Sequence, residues 1–201
     1  MKVFFPTWNA GVAHMFLLRD WEVTSDPKEA DLFQFVGGED VTPALYGEEP
    51  DPRSHFNMGR DLREIYWFNF ARDRSVPMAG ICRGGQFLNV MGGGKMIQHI
   101  EGNRHCNGDR HALQFRNGDT SMPMWVDGAS STHHQMMVSG PRGQVLYTAD
   151  NGVDTEVVLY SDAVADIEFA YSLCFQPHPE YDPDSDYADL YFNLIDRHLL
   201  N

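Results

Sequence analysis

The stretch PMAGICRGGQFLNVMGGG, residues 77–94, decides the reading of the fold. Residues 78–81 form a short apolar run opened by Pro77, with the length and composition of a buried strand, and residues 84–91 read as a helix stopped by Gly92, Gly93 and Gly94. Between them lies Gly80-Ile81-Cys82-Arg83-Gly84, a G-x-C-x-G sequence in the position of a nucleophile elbow, with a thiol in place of a hydroxyl. A strand that turns sharply into a helix strains the corner residue, and glycines on both sides allow the close backbone approach that holds it. The same turn sets Cys82 at the positive end of the following helix, where an anionic nucleophile is favoured. A small buried residue beside a glycine turn is the alternative for any single cysteine. The complete elbow pattern favours the nucleophile.

A nucleophilic thiol needs a base, and the base needs an acceptor on its second ring nitrogen. The segment Gln176-Pro177-His178-Pro179-Glu180 offers both, in His178 and Glu180. On an extended chain residues two apart point to one side, and the two prolines restrict the backbone to extended conformations. Taken alone, the segment also fits an exposed turn with an incidental histidine. Thioester chemistry passes through a tetrahedral oxyanion, which needs preorganised N–H donors. The amides of Gly38 and Arg83 are the candidates, although Gly-Gly at a strand end also occurs in ordinary turns.

Outward from these motifs, residues 2–5 and 31–36 read as buried strands, residues 11–20 have helical length, and residues 21–24 fit a short strand. Residues 40–60 scatter prolines and glycines among charges and read as a long ordered loop of the kind found at sites. From 61 to 74 the spacing of Leu62, Ile65, Tyr66 and Phe70 predicts a helix packed on a sheet by that face. Strands are expected at 111–116, 122–126, 144–149, 155–160 and, in two pieces, 165–175, with a final helix over about 184–199. Strands alternating with helices, followed by a strand-rich half, predict a three-layer α/β/α domain around a mixed, mostly parallel sheet. The 201 residues suit one domain, 1–201, with a substantial core.

Fifteen Lys and Arg against 29 Asp and Glu give a net charge of −14, which argues against nucleic acid and anionic membranes as partners. With neither a leader-like start nor a bilayer-length apolar run, a soluble protein is expected. Three cysteines, Cys82, Cys106 and Cys174, make no complete disulfide framework, so a reducing cytoplasm fits. Cys106 and Cys174 lack an elbow and read as structural.

Together these segments resemble the class I glutamine amidotransferases, and in particular their γ-glutamyl hydrolase branch, peptidase C26. The matching pieces fall in the family's order: VGGEDVTPALYGEE at 36–49, residues 59–94 through the elbow, NRHCNGDRHAL at 103–113, SSTHHQM at 130–136, TADNGVDTEVV at 148–158 and QPHPE at 176–180. A flavodoxin-like fold is implied. So is a triad in which Cys82 attacks a γ-carboxamide, His178 moves the proton and Glu180 orients His178. The resemblance further implies that Gln86 and the segment Ser131, Thr132, His133, His134 and Gln135 hold the glutamyl portion. Where the branch usually has an aromatic residue, this chain has Pro177, and the chain is shorter than typical hydrolases of the branch.

His99, His105 and His111 recur every six residues, but that spacing matches no zinc site on one helix face, and the family implied here needs no metal or other cofactor. The expected activity is hydrolysis of a small γ-glutamyl amide, with His133 or His134 as substitute base were His178 remote from the thiol. Two other readings stay open: a glutaminase subunit passing ammonia to a synthetase or ligase partner, and a catalytically inert ligand-binding relative. A homo-oligomer is also left open.

Overall fold

The computed structural model describes residues 1–102, 105, 106, 108–116, 122–161 and 171–200. Its elements run β1 (Lys2–Phe4), α1 (Ala10–Leu17), β2 (Glu22–Val23), β3 (Leu32–Phe35), α2 (Met58–Arg72), β4 (Met78–Ile81), α3 (Arg83–Met91), β5 (Lys95–Ile97), β6 (Asp109–Phe115), β7 (Trp125–Ser131), β8 (Met136–Val138), β9 (Gln144–Ala149), β10 (Thr155–Tyr160), β11 (Ser172–Phe175) and α4 (Asp186–His198). Local chemistry explains where the helices start. Asn9, Asn57 and Ser185 stand at the N-caps of α1, α2 and α4, and each accepts a hydrogen bond from an amide three residues on.

Among the described residues the main sheet has the order β2-β1-β3-β4-β11-β10-β9-β6-β7. The pairs from β2 to β11 are parallel, and those from β11 out to β7 are antiparallel, so the mixed sheet changes character at β11. Alternation along the central strands feeds two cores. Leu32, Ile81, Leu173 and Phe175 pack with α1 and α4 through Val12, Phe16, Tyr187, Tyr191 and Ile195. Phe33, Phe35, Met78 and Cys174 pack with α2 and α3 through Phe68, Phe87 and Leu88. Helices on both faces of one sheet make the three layers expected from sequence. Strands β5 and β8 pair as a separate two-stranded antiparallel ribbon that the sequence did not announce. The strand piece expected over 165–170 lies outside the described residues.

The inner face of α2 differs from expectation. Leu62 and Tyr66 are exposed, Ile65 and Phe70 are only partly covered, and the buried positions are Arg60, Asp61, Glu64, Phe68 and Ala71. Charged residues take the inner face because Arg83, buried at the start of α3, contacts Asp61 and Glu64 with its guanidinium. Arg60 Nε bonds Glu64 at 2.9 Å, and Thr7 Oγ1 donates to the same carboxylate at 2.9 Å. Thr42 donates to Asp61 through both its amide and its hydroxyl. A buried charge is tolerable only when paired and hydrogen-bonded, and Arg60, Asp61, Glu64 and Arg83 pair with one another, although Arg83 Nε has no partner among the described residues.

The elbow glycines sit against backbone. A Cβ on Gly80 would collide with the Gly84 carbonyl group, one on Gly84 would meet Phe35 C and O at 2.5 Å, and one on Gly85 would lie 2.8 Å from Phe175 N. None of these neighbours is a side chain that could swing away. Gly84→Ala is therefore expected to destabilise the fold by at least about 2 kcal/mol through overpacking. Denaturant unfolding of this variant beside Gly93→Ala, whose Cβ meets nothing within 4 Å but whose φ is 86°, separates collision from backbone strain.

Candidate active site

Cys82 lies at the corner between β4 and α3, with φ 51° and ψ −117°, a region an L-residue enters only at a cost. Its amide donates to Phe175 O of the neighbouring strand at 2.8 Å, and its carbonyl accepts from Gln86 N at 3.0 Å. The corner is thus held by β11 on one side and by the first turn of α3 on the other. Cys82 is 7% exposed, so the thiol sits in a recess rather than on open surface.

His178 comes from the segment after β11. Its amide donates to Ser130 O at 3.0 Å and its carbonyl accepts from Tyr187 at 3.2 Å, which fixes the backbone. The ring stacks on Tyr181, with centroids 4.5 Å apart and planes 3° from parallel. Nδ1 meets Glu180 Oε1 at 2.7 Å, while Nε2 contacts the Thr132 hydroxyl at 2.8 Å. Proximity to the elbow shows at Gly37, where a Cβ would lie 3.3 Å from His178 Cε1 and 3.7 Å from Cys82 Cβ. Cys82, His178 and Glu180 are therefore brought together. Contrary to the expectation from its prolines, the segment is not extended throughout: Pro179–Tyr181 forms one turn of 3-10 helix, with proline at its first position. That turn is what returns the Glu180 carboxylate to the ring two residues earlier.

Burial would pull the His178 imidazolium down, but the negative charge of neighbouring Cys82 and the Glu180 carboxylate outweigh it and push the value up to about 11. A raised value in the folded state means that this pairing stabilises the protein fully below the unfolded value near 6.5 and is lost as the pH rises toward 11. In Glu180→Gln one of the anions is gone and the imidazolium loses support. Its thermal midpoint should fall furthest below that of the unaltered protein around pH 6. The gap should shrink as the pH rises, and a gap that does not vary with pH would assign Glu180 an uncharged, packing role.

Gly38 follows β3 with φ 148°, and a Cβ there would collide with the Arg60 guanidinium. Arg60 Nη2 donates to Val36 O at 2.9 Å and Gly37 O at 3.1 Å, so the buried ionic network holds the glycine pair in place. Arg83 opens α3, where an amide has no acceptor within the helix. Gln86, 2% exposed, lies one turn further on.

The segment 131–135 closes the other side. His134 Nε2 lies 3.1 Å from both Asp40 oxygens, and its Nδ1 is 3.4 Å from His99 Nδ1. Gln135 is fully buried and donates to Ser54 at 3.3 Å. The Asp40 and Ser54 contacts tie the segment to the loop before α2, which contains a 3-10 turn at Pro43–Tyr46. Ser131 Oγ is 3.4 Å from His111 Nδ1, and His133 is buried with Nδ1 2.8 Å from Gln135 O. Sequence reasoning gave Thr132 no role of its own, because nothing in SSTHHQM distinguishes it until the fold sets it on His178. Asp61 and Glu64 were missed as well, since Arg83 had no visible partner in the linear chain.

With this geometry in place, similarity to known proteins is informative. Residues 21–180 match the sequence profile of the peptidase C26 family. The chain is 34% identical over 157 residues to Rv2859c of Mycobacterium tuberculosis, provisionally named a glutamine amidotransferase, covering 72% of this chain and 49% of that protein. To the γ-glutamyl-γ-aminobutyrate hydrolase PuuD of Escherichia coli it is 30% identical over 187 residues, covering 81% of this chain and 68% of that one. This chain therefore spans about half the length or less of several relatives it matches, Rv2859c and a fission yeast protein among them. Among solved structures, a chain of PurLQS from Thermotoga maritima superposes with a TM-score of 0.68 at 17% identity, over 98% of both chains. A glutamine amidotransferase from the same organism gives 0.63 at 13% identity over 100% of this chain and 86% of its own. At such identities the structures speak for the fold alone, and they agree on the class I amidotransferase architecture.

Proposed function

This chain belongs to the peptidase C26 family, and from that membership and the geometry of the Cys82 site we propose that it is a cysteine hydrolase of γ-glutamyl amides. The observation that carries the reading is the convergence on one recess of Cys82 at its strained corner, the His178 ring beside it, both against Gly37, and Glu180 2.7 Å behind the ring. Cys82 sulfur attacks the γ-carbonyl carbon, and the carbonyl electron pair moves to oxygen, toward the amides of Gly38 and Arg83. When the tetrahedral species collapses the C–N bond breaks, and the proton held on His178 Nε2 passes to the departing amine. A thioester remains. Water then adds to it, giving its proton to His178, and the C–S bond breaks to release glutamate and restore the thiol. Through both halves Glu180 keeps Nδ1 protonated and the ring in position.

The head group of the substrate, an α-amino acid, needs polar contacts beside the thiol. Gln86, Ser131, His134 and Gln135 are the side chains we assign to that task, with Thr132 steadying His178 and the buried His133 supporting the segment from behind. The chain acts as one domain, 1–201, in the cytoplasm. Three free cysteines support that compartment, and no helix among the described residues is long and apolar enough to cross a membrane.

Assaying glutamate release from a panel of γ-glutamyl amides and peptides, glutamine included, tests the proposal. Turnover of at least one substrate that disappears in Cys82→Ala is expected. Failure of every substrate, with the unaltered protein no better than the variant, would contradict it. A chain of PurLQS and a Thermoplasma acidophilum protein provisionally named as part of a GMP synthase share this fold, and on that likeness a second reading is a glutaminase that feeds a separate synthetase. Glutamine as the sole substrate, turned over only after a partner is added, would select it.

A further inference from the structure

We propose that His105, His111, His133 and Glu156 form a divalent transition-metal site of the zinc type, buried behind the 131–135 segment and separate from the triad. Glu156, on β10, is fully buried, and among the described residues both its oxygens lack a hydrogen-bond partner of normal geometry. So do His105 Nδ1, His111 Nε2 and His133 Nε2. These unpaired atoms face one another: Glu156 Oε1 is 3.5 Å from His105 Nδ1 and 3.3 Å from His111 Nε2, and Oε2 is 3.9 Å from His133 Nε2. Ligand atoms about 2.0–2.1 Å from a tetrahedral ion stand roughly 3.3–3.4 Å apart. The two shorter separations match the edge of such a tetrahedron.

The outer contacts fit the same reading. A metal-binding imidazole usually commits its other nitrogen to a carbonyl or carboxylate, which fixes the tautomer and frees one lone pair for the ion. His133 Nδ1 lies 2.8 Å from Gln135 O, and His105 Nε2 lies 2.9 Å from Asp154 Oδ2. His111 Nδ1 has Ser131 at 3.4 Å. Charge also balances, since a divalent ion against Glu156 and Asp154 with three neutral imidazoles sums to zero. Among the described residues no Lys or Arg pairs with Glu156, and a buried carboxylate without a cation carries a large desolvation cost. The six-residue recurrence of histidines gave no zinc motif because the ligands do not share an element. His99 turns instead to His134, and the four ligands come from the loop before β6, from β6, from the segment after β7 and from β10. By holding Ser131 and His133 from behind, the ion would fix the segment that sets Thr132 on His178.

The test uses full-length Cys82→Ala protein, so that the active-site thiol cannot take the metal. Protein stripped with chelator and dialysed is titrated with Zn(II) and with Co(II), with the thermal midpoint followed in parallel. The assignment expects about one equivalent bound, a cobalt spectrum of tetrahedral nitrogen and oxygen ligation, and a zinc-dependent rise in midpoint. Glu156→Gln and His111→Gln should each weaken zinc binding by roughly 100-fold or more. Should one variant fail to fold, the other and the unaltered ligand set still decide. Three results overturn the proposal: no stoichiometric binding with a midpoint indifferent to zinc, a cobalt–thiolate band placing the ion on Cys106 or Cys174, or binding untouched by both substitutions. The first would leave a proton shared between the imidazoles and Glu156 as the state of the cluster.

Discussion

Cys82→Ala should lower turnover of the best γ-glutamyl substrate by roughly 10⁴-fold or more, to the level that binding and the oxyanion amides alone provide. The fold should survive it. Cys82 belongs to the core facing α1 and α4, but only one sulfur is removed, and alanine meets the same backbone demand at φ 51° as cysteine does. A cost of about 1 kcal/mol, visible as a small drop in thermal midpoint, is expected. Cys106→Ser should leave turnover near its original level, since the one hydrogen bond described for the Cys106 sulfur goes to the His133 carbonyl at 3.6 Å. Substantial turnover by Cys82→Ala would make another side chain the nucleophile.

The largest effect on stability is expected from Arg83→Met. Arg83 is 1% exposed, and its guanidinium is shared between Asp61 and Glu64, which are themselves buried. Methionine fills most of the volume but leaves two buried carboxylates with Arg60 as their remaining cation. Breaking a buried ionic set in this way costs roughly 3–5 kcal/mol. Denaturant titration should show this loss. Adding Glu64→Gln to the same protein should recover part of it, because the second change removes the stranded charge. Additive losses in the double variant would show that the pair is not coupled. Since Arg60 also holds the carbonyls of Val36 and Gly37, the damage should reach the Gly37-Gly38 turn beside Cys82 and lower turnover by a larger factor than the folded fraction accounts for.

What could be read in the chain was what lies close together along it. Gly80, Gly84 and Gly85 bracket Cys82 within six residues, and every one proves to abut backbone, so the elbow was legible from composition and order. The alternation that feeds two cores was equally local, at Leu32 and Phe33 or at Leu173 and Cys174. Pairing across the fold was not. Hydrophobic spacing put Leu62 and Tyr66 inside α2, and the electrostatic need of Arg83, nineteen or more residues later, put Asp61 and Glu64 there instead. The same limit hid the cluster around Glu156, where no two ligands are nearer than the six positions from His105 to His111. Thr132 was visible only as part of a polar segment, since its contact with His178 spans 46 positions.

The central claim is that one thiol of three is placed and activated for a γ-glutamyl carbonyl. A glutamine analogue bearing a reactive ketone, incubated with the protein and mapped by mass spectrometry, tests it most directly. Covalent label confined to Cys82, slowed by competing substrate and lost in His178→Gln, is the predicted result. Label distributed evenly over Cys82, Cys106 and Cys174 would contradict the account, because it would reflect ordinary thiol reactivity without a site.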